Sequence, residues 1–139
     1  MDRWLAEATL SAFLIALMMV SVLKGLSSRV HPEALEPVDT FARSTLFNIG
    51  FLESGFASIV EGWPSGHAAT NGAVCLVTFY LAMDVRLRVA AMVWMIWVVL
   101  ATVFGTNGDV HWLSDSVAGL VIAWIIGLRI RQESRPELL

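Results

Sequence analysis

Two histidines carry the chemistry that this chain could perform. His67 stands in Trp63-Pro64-Ser65-Gly66-His67, just ahead of an apolar run. His111 stands in Gly108-Asp109-Val110-His111-Trp112-Leu113-Ser114-Asp115, just ahead of another. Ionisable side chains at the ends of membrane spans are costly to place, which makes them functional candidates. Pro-Ser-Gly-His leading into a helix presents backbone N–H groups at the positive end of the helix dipole, a ready anion site. Gly66 lets a ligand approach the backbone, Ser65 adds a hydroxyl, and a protonated His67 could give a proton to a leaving alcohol. A helix-capping serine followed by an interfacial histidine is the plainer reading of the same residues. His111 and Asp115, four apart, should share one helix face. A carboxylate on one ring nitrogen fixes the tautomer and leaves the other nitrogen to attack; a structural hydrogen bond is the alternative. Lys24 ends the first apolar run, either as a snorkelling lysine or as a phosphate-binding cation. Together these residues outline a candidate phosphoryl-transfer site. Asp109, by contrast, reads as a loop carboxylate that would repel a phosphate.

The elements that must position them read as membrane helices. The chain has 139 residues, 57% of them apolar and 15% charged, with a mean hydropathy of +0.70. Soluble domains of this size usually carry about 25% charged residues. The apolar residues fall in four blocks, 8–23, 63–83, 89–108 and 116–128. A span needs roughly 17–25 residues, so the first and last must borrow polar flanks. The expectation is an all-α membrane protein, one integral membrane domain over residues 1–139, with four transmembrane helices in a bundle at about 4–23, 66–84, 89–106 and 112–129. A soluble protein with buried helices is the rival architecture. A net charge of −3 gives no reason to expect nucleic acid. Cys75 is the one cysteine, so no intramolecular disulfide can form. The first block, preceded only by Arg3 and lacking a small-residue cleavage pattern, reads as a retained anchor.

Charge sets the expected topology. Arg86 and Arg88 lie between blocks two and three, Arg129, Arg131 and Arg135 follow block four, and Arg3 precedes block one. Lys and Arg collect on the cytoplasmic side, so both termini are expected inside, with residues 24–63 and 105–115 on the outer, periplasmic or luminal, face. His31, His67, His111, Lys24, Asp109 and Asp115 then all lie outside, as one site would require. Trp4, Trp63 and Trp112 fall at block ends, as interfacial anchors do. Gly119, Ala123 and Gly127, and likewise Ala12 and Ala16, are small residues spaced by four, suited to close helix packing. Between Pro37 and Gly50, Val38, Phe41, Ala42, Thr45, Leu46 and Ile49 trace a helical stripe opposite Asp39, Arg43, Ser44 and Asn48. An interfacial helix is expected there, started by Pro37 and stopped by Gly50. It would help admit a lipid or simply connect the spans.

At these residues the chain resembles the type 2 phosphatidic acid phosphatase superfamily, metal-independent membrane lipid phosphatases and phosphotransferases. The family carries three ordered motifs: Lys, six residues, Arg-Pro; then Pro-Ser-Gly-His; then Ser-Arg, five residues, His, three residues, Asp. The second is intact at Pro64, Ser65, Gly66 and His67. His111 and Asp115 match the third, followed by a family-like Val117-Ala118-Gly119, and Lys24 opens the first. The similarity covers about residues 20–128. It implies that His111 is the nucleophile, forming a phosphohistidine, that Asp115 orients it, and that His67 is the general acid. It also implies that Lys24, Ser65 and the Gly66 amide hold phosphate oxygens, with no metal and no cofactor. Members commonly have six spans with the motifs at the outer ends of the last four, and this chain is similar to that four-helix core.

Two positions depart from the family. His31 stands where the first motif has arginine, and the Ser-Arg of the third falls on Phe104 and Gly105. Losing one charged donor from such a site can cost about 2.7–4 kcal/mol. His31 is the first-motif candidate for phosphate binding, and Arg29, Arg43, Thr106 or Asn107 could compensate for the missing guanidinium groups. The expected function is phosphatase action on a lipid or polyprenyl phosphate. The rivals are a lipid phosphotransferase and a non-catalytic subunit that keeps the fold within an oligomer or larger membrane complex. A metal site of three histidines and an aspartate carries less weight, because Lys24 would oppose a cation.

Overall fold

A computed structural model of the chain describes residues 3–27, 47, 49–53, 55–56, 63–104 and 111–134. It is helical, with no strand among the described residues. The helices are α1 (Arg3–Leu26), the short α2 (Gly50–Glu53), α3 (Gly66–Leu81), α4 (Val85–Phe104) and α5 (Leu113–Ser134). Three of them, α1, α4 and α5, are long and apolar enough to cross a membrane. At 1.5 Å per residue they run about 36, 30 and 33 Å, against a hydrocarbon core of about 30 Å. They expose apolar side chains all along their length, among them Leu10, Phe13 and Leu17 on α1, Val93, Trp97 and Leu100 on α4, and Val121 and Trp124 on α5. In water such a surface would aggregate; in hydrocarbon it is the ordinary exterior, and these helices suit an integral membrane protein.

The helix ends differ from the expected spans in ways that matter for the site. The first helix continues past Leu23 to Leu26, which brings Lys24 into its last turn. The second stops at Leu81, and a three-residue turn lets α4 begin at Val85, where Asp84 Oδ1 accepts from the Arg86 amide at 2.8 Å. The last runs to Ser134, its charged end steadied by Arg129–Glu133 at 3.0 Å. The Gly50 stop is corrected: Gly50 begins α2 rather than ending a helix. The reason is a notch in α1. A Cβ on Gly25 would lie 2.0 Å from the Phe51 ring, so that glycine makes room for an aromatic side chain of α2. The rest of the expected interfacial helix, residues 37–46 and 48, lies outside the described residues.

The 16-residue α3 occupies the middle of the bundle, packed by α1, α4 and α5. Its sequence is rich in Gly, Ala and Thr, which suits a helix approached from three sides. On one side it meets the buried face of α1, Ala12, Ala16, Val20 and Lys24 at a strict spacing of four. On another it meets α5, and the two helices run parallel in register. A Cβ on Gly119 would lie 2.6 Å from the Ser65 carbonyl oxygen, one on Gly72 would lie 2.8 Å from Ala123 Cβ, and one on Gly127 would lie 3.0 Å from Leu76 Cβ. The small-residue stripe of α5 is therefore its packing face.

This register sorts the polar groups to two ends. One end holds the last turn of α1, the start of α3, the end of α4 and the start of α5. The other holds Arg3, Arg86, Arg88, Arg129 and Arg131, every arginine among the described residues. There Arg88 Nε donates to the Ala82 carbonyl at 2.7 Å and Arg131 lies 5.2 Å from the Tyr80 ring centre. Thr9, Ser21, Thr70 and Thr78 return their hydroxyl protons to carbonyls of their own helices, so none is left as a donor facing hydrocarbon.

Candidate active site

The Pro-Ser-Gly-His segment begins α3 as a capped helix. Ser65 is the N-cap, its backbone extended and its Oγ accepting from the Ala68 amide at 3.3 Å. The plainer reading of this serine as a cap is thus realised, and Ser65 is fully buried. Its hydroxyl proton remains available to a further acceptor. Gly66 follows at the first helical position, where an amide has no partner within the helix. Among the described residues, a Cβ there would touch only Val20 Cγ1, at 3.7 Å, which is ordinary contact. Packing does not demand glycine at this position; what glycine leaves is room above the helix start.

His67 is the second residue of α3 and is exposed. One turn on, Asn71 Nδ2 donates to the His67 carbonyl at 3.1 Å while its Oδ1 accepts from Trp94 Nε1 of α4, also at 3.1 Å. His67 therefore sits on the α4 side of the α3 start. Ser65 faces the other way: its amide donates to the Asp115 carbonyl at 3.0 Å, which joins the Pro-Ser-Gly-His segment directly to the start of α5.

His111 departs from expectation in its setting. It lies two residues before α5 rather than on it, so the spacing of four does not place it on a helix face beside Asp115. Asp115 is the third residue of α5, and its Oδ2 reaches back to accept from the Trp112 amide at 3.0 Å. This is half of a capping box. The same Oδ2 lies 3.7 Å from His111 Nδ1, longer than a hydrogen bond and within ion-pair range. Asp115 is wholly enclosed and His111 is 5% exposed, so the carboxylate acts on the ring at low local dielectric. His111 is held from its other side by α4, its amide donating to the Thr102 carbonyl at 2.9 Å.

Asp115 thus has two duties that substitution can separate. Asn at this position still offers an oxygen to the Trp112 amide, but not a charge. Asp115→Asn should keep thermal stability close to wild type and lower turnover about tenfold, the scale set by exchanging a charged neighbour of the ring for a neutral one. Asp115→Ala should lower turnover further and also cost about 1–2 kcal/mol of stability through the lost cap. Paired melting curves and rate measurements check both.

Lys24 completes the arrangement. A snorkelling lysine would hold its head in water, yet Lys24 is 5% exposed. It follows Val20 by one turn on the face turned to α3, and Val20 is the described residue that a Cβ on Gly66 would touch. The lysine therefore belongs to the same end of the bundle as the α3 start. His31, Arg29, Arg43, Thr106, Asn107 and Asp109 lie outside the described residues, as does Gly105. Phe104, at the third-motif serine position, is exposed at the end of α4. Among the described residues, no group of three or more His, Cys, Asp and Glu side chains gathers closely enough to hold a metal ion.

Two polar residues here have no counterpart in the sequence reading. Thr102 Oγ1 and Ser116 Oγ lie 3.3 Å apart in the buried seam between α4 and α5, next to the residues that hold His111. A threonine or serine inside an apolar run ordinarily bonds back to its own helix, so nothing in the chain marks these two until α4 and α5 are brought together.

An all-helical bundle with apolar walls, gathering a lysine, a capped Ser-Gly-His helix start and a histidine–aspartate pair at one end, defines a membrane phosphatase-like protein. The family model of the PAP2 superfamily matches residues 5–135. The chain belongs to that superfamily, whose members are generally phosphatases. Comparison with curated proteins and with solved structures gives no match.

Proposed function

We propose that the protein is a membrane-embedded enzyme that removes the phosphate of a lipid or polyprenyl phosphate through a phosphohistidine on His111. The observation that carries this reading is the Ser65–Asp115 backbone bond. It fixes the anion-binding start of α3 against the segment bearing His111 and Asp115. In the proposed reaction Lys24, the Gly66 amide and the Ser65 hydroxyl hold the phosphoryl oxygens, and His31, Arg29 or Asn107 adds to them. Asp115 keeps a proton on Nδ1 and leaves Nε2 to attack phosphorus. The P–O bond to the lipid alcohol breaks, and His67 protonates the departing oxygen. His67, now neutral, takes a proton from water, whose oxygen attacks phosphorus; the P–N bond breaks, freeing the His111 ring and releasing inorganic phosphate. No step calls on a metal ion, because a lysine and a helix N-terminus supply the positive charge.

The test is phosphate release by purified protein from a panel of lipid and polyprenyl phosphates, with and without chelator, beside His111→Ala. Release that withstands chelation and is lost in the variant supports the reading. Release that vanishes with chelator and returns with zinc contradicts it.

We also propose that α3 is a fourth span and that the arginine-bearing end faces the cytoplasm. With about 24 Å of helix, α3 needs its Trp63–Ser65 and Ala82 flanks to cross, and its three packed neighbours shield those flanks. A cysteine at position 87, on a Cys75→Ala background, should resist a membrane-impermeant thiol reagent in intact cells and react after permeabilisation. Labelling of intact cells at that position would reverse the topology.

A further inference from the structure

His111 is attached to two helices that barely touch each other. It precedes α5 by two residues, and its amide is bonded to α4 through the Thr102 carbonyl at 2.9 Å. That carbonyl is free to accept because Thr102 lies in the last turn of α4, where carbonyls have no partner within the helix. The position of His111 therefore depends on the spacing between the end of α4 and the start of α5. Each of these helices packs on α3 far more than on the other, so apolar packing between them does little to set that spacing.

Among the described residues, the side chains that bridge them are the Thr102–Ser116 hydroxyl pair. Both residues are buried, at 2% and 0% exposure, so neither hydroxyl can turn to water. Thr102 Oγ1 is 2.9 Å from the Val99 carbonyl and gives its proton there. Its lone pairs then face Ser116 Oγ at 3.3 Å, and Ser116 is the donor. Ser116 directly follows Asp115, the carboxylate beside the His111 ring. One side of this clasp is thus the residue whose carbonyl holds the His111 backbone, and the other side adjoins the residue that faces its imidazole. We infer that Thr102 and Ser116 are positioning residues, a hydroxyl clasp that fixes the α4–α5 spacing and with it the aim of His111.

This inference rests on the proposed role of His111, and its test has a readout that does not. Four variants of the full chain are compared in detergent micelles: Thr102→Val, Ser116→Ala, the double variant and Thr102→Ser. The first readout is kcat and KM for phosphate release from phosphatidic acid. The second is hydrogen exchange at the His111 amide, followed by NMR of 15N-labelled protein. The clasp predicts that Thr102→Val and Ser116→Ala each lower kcat about tenfold with little change in KM, since a small misplacement of a reacting group is costly. The double variant should be no worse than the worse single one, because both remove the same bond. Thr102→Ser should restore the wild-type kcat. Exchange at His111 should quicken in the first three variants and not in the fourth. If the two substitutions lower the melting temperature but leave kcat and His111 exchange unchanged, the pair is merely structural and the inference is overturned. If Thr102→Val fails to fold, Ser116→Ala, which leaves the Thr102–Val99 bond intact, decides alone. If the wild type releases no phosphate from any lipid phosphate, the proposed function fails. Exchange at His111 then still supports the clasp if it quickens and overturns it if it does not.

Discussion

Replacing His111 with alanine should abolish phosphate release from every substrate, while replacing His67 should abolish it only where the leaving group is poor. The asymmetry follows from the two steps at which the histidines act. Without the His111 ring no covalent intermediate can form, whatever the leaving group. His67 supplies a proton to the departing oxygen, a contribution of about 10²–10⁴-fold for an alkoxide. An aryl phosphate such as p-nitrophenyl phosphate departs without that proton, so His67→Ala should lose less than about tenfold there. The structure places these residues in different surroundings. His67 is exposed at the α3 start, where a substrate oxygen can meet it, and His111 is enclosed beside a carboxylate. Rates for the two variants on a lipid phosphate and on an aryl phosphate form the check. A His67→Ala protein equally impaired on both would take the proton-donor role away.

Lys24→Met should cut kcat about 10²–10³-fold. The loss is the usual consequence of removing a charged donor from an enclosed transition-state site. It should be severe here because the two family arginine positions are filled by His31 and Gly105. A lysine that served the fold would show the opposite pattern, a large drop in melting temperature with little change in kcat.

The sequence reading reached further into the site than into the bundle that holds it. The order of Lys24, Pro64 to His67, and His111 to Asp115 was visible because each motif is local, and the structure brings all three to one end. The hydropathy of α1, α4 and α5 was visible for the same reason. The relation between motifs was not. The Ser65–Asp115 bond spans fifty residues and exists only because Gly119 lets α5 approach the Ser65 carbonyl. Periodicity placed His111 on a helix, but the helix starts at Leu113, because Asp115 closes a cap on Trp112 and leaves His111 ahead of it. Gly50 looked like a helix stop, a property of glycine in general, whereas what matters locally is the Gly25 notch that receives Phe51. Thr102 and Ser116 are not legible along the chain, because their significance lies in pairing across two helices, which no window of sequence can contain.

The most direct measurement is a rapid quench of the protein reacting with a lipid phosphate carrying labelled phosphorus, followed by peptide mapping. The account predicts label on the peptide containing His111, stable to base and lost in acid, in wild type and absent from His111→Ala. It also predicts that the label forms more slowly in Asp115→Asn, where the ring is less well prepared to attack phosphorus. Turnover without label on His111, or near-normal turnover by His111→Ala, would contradict it.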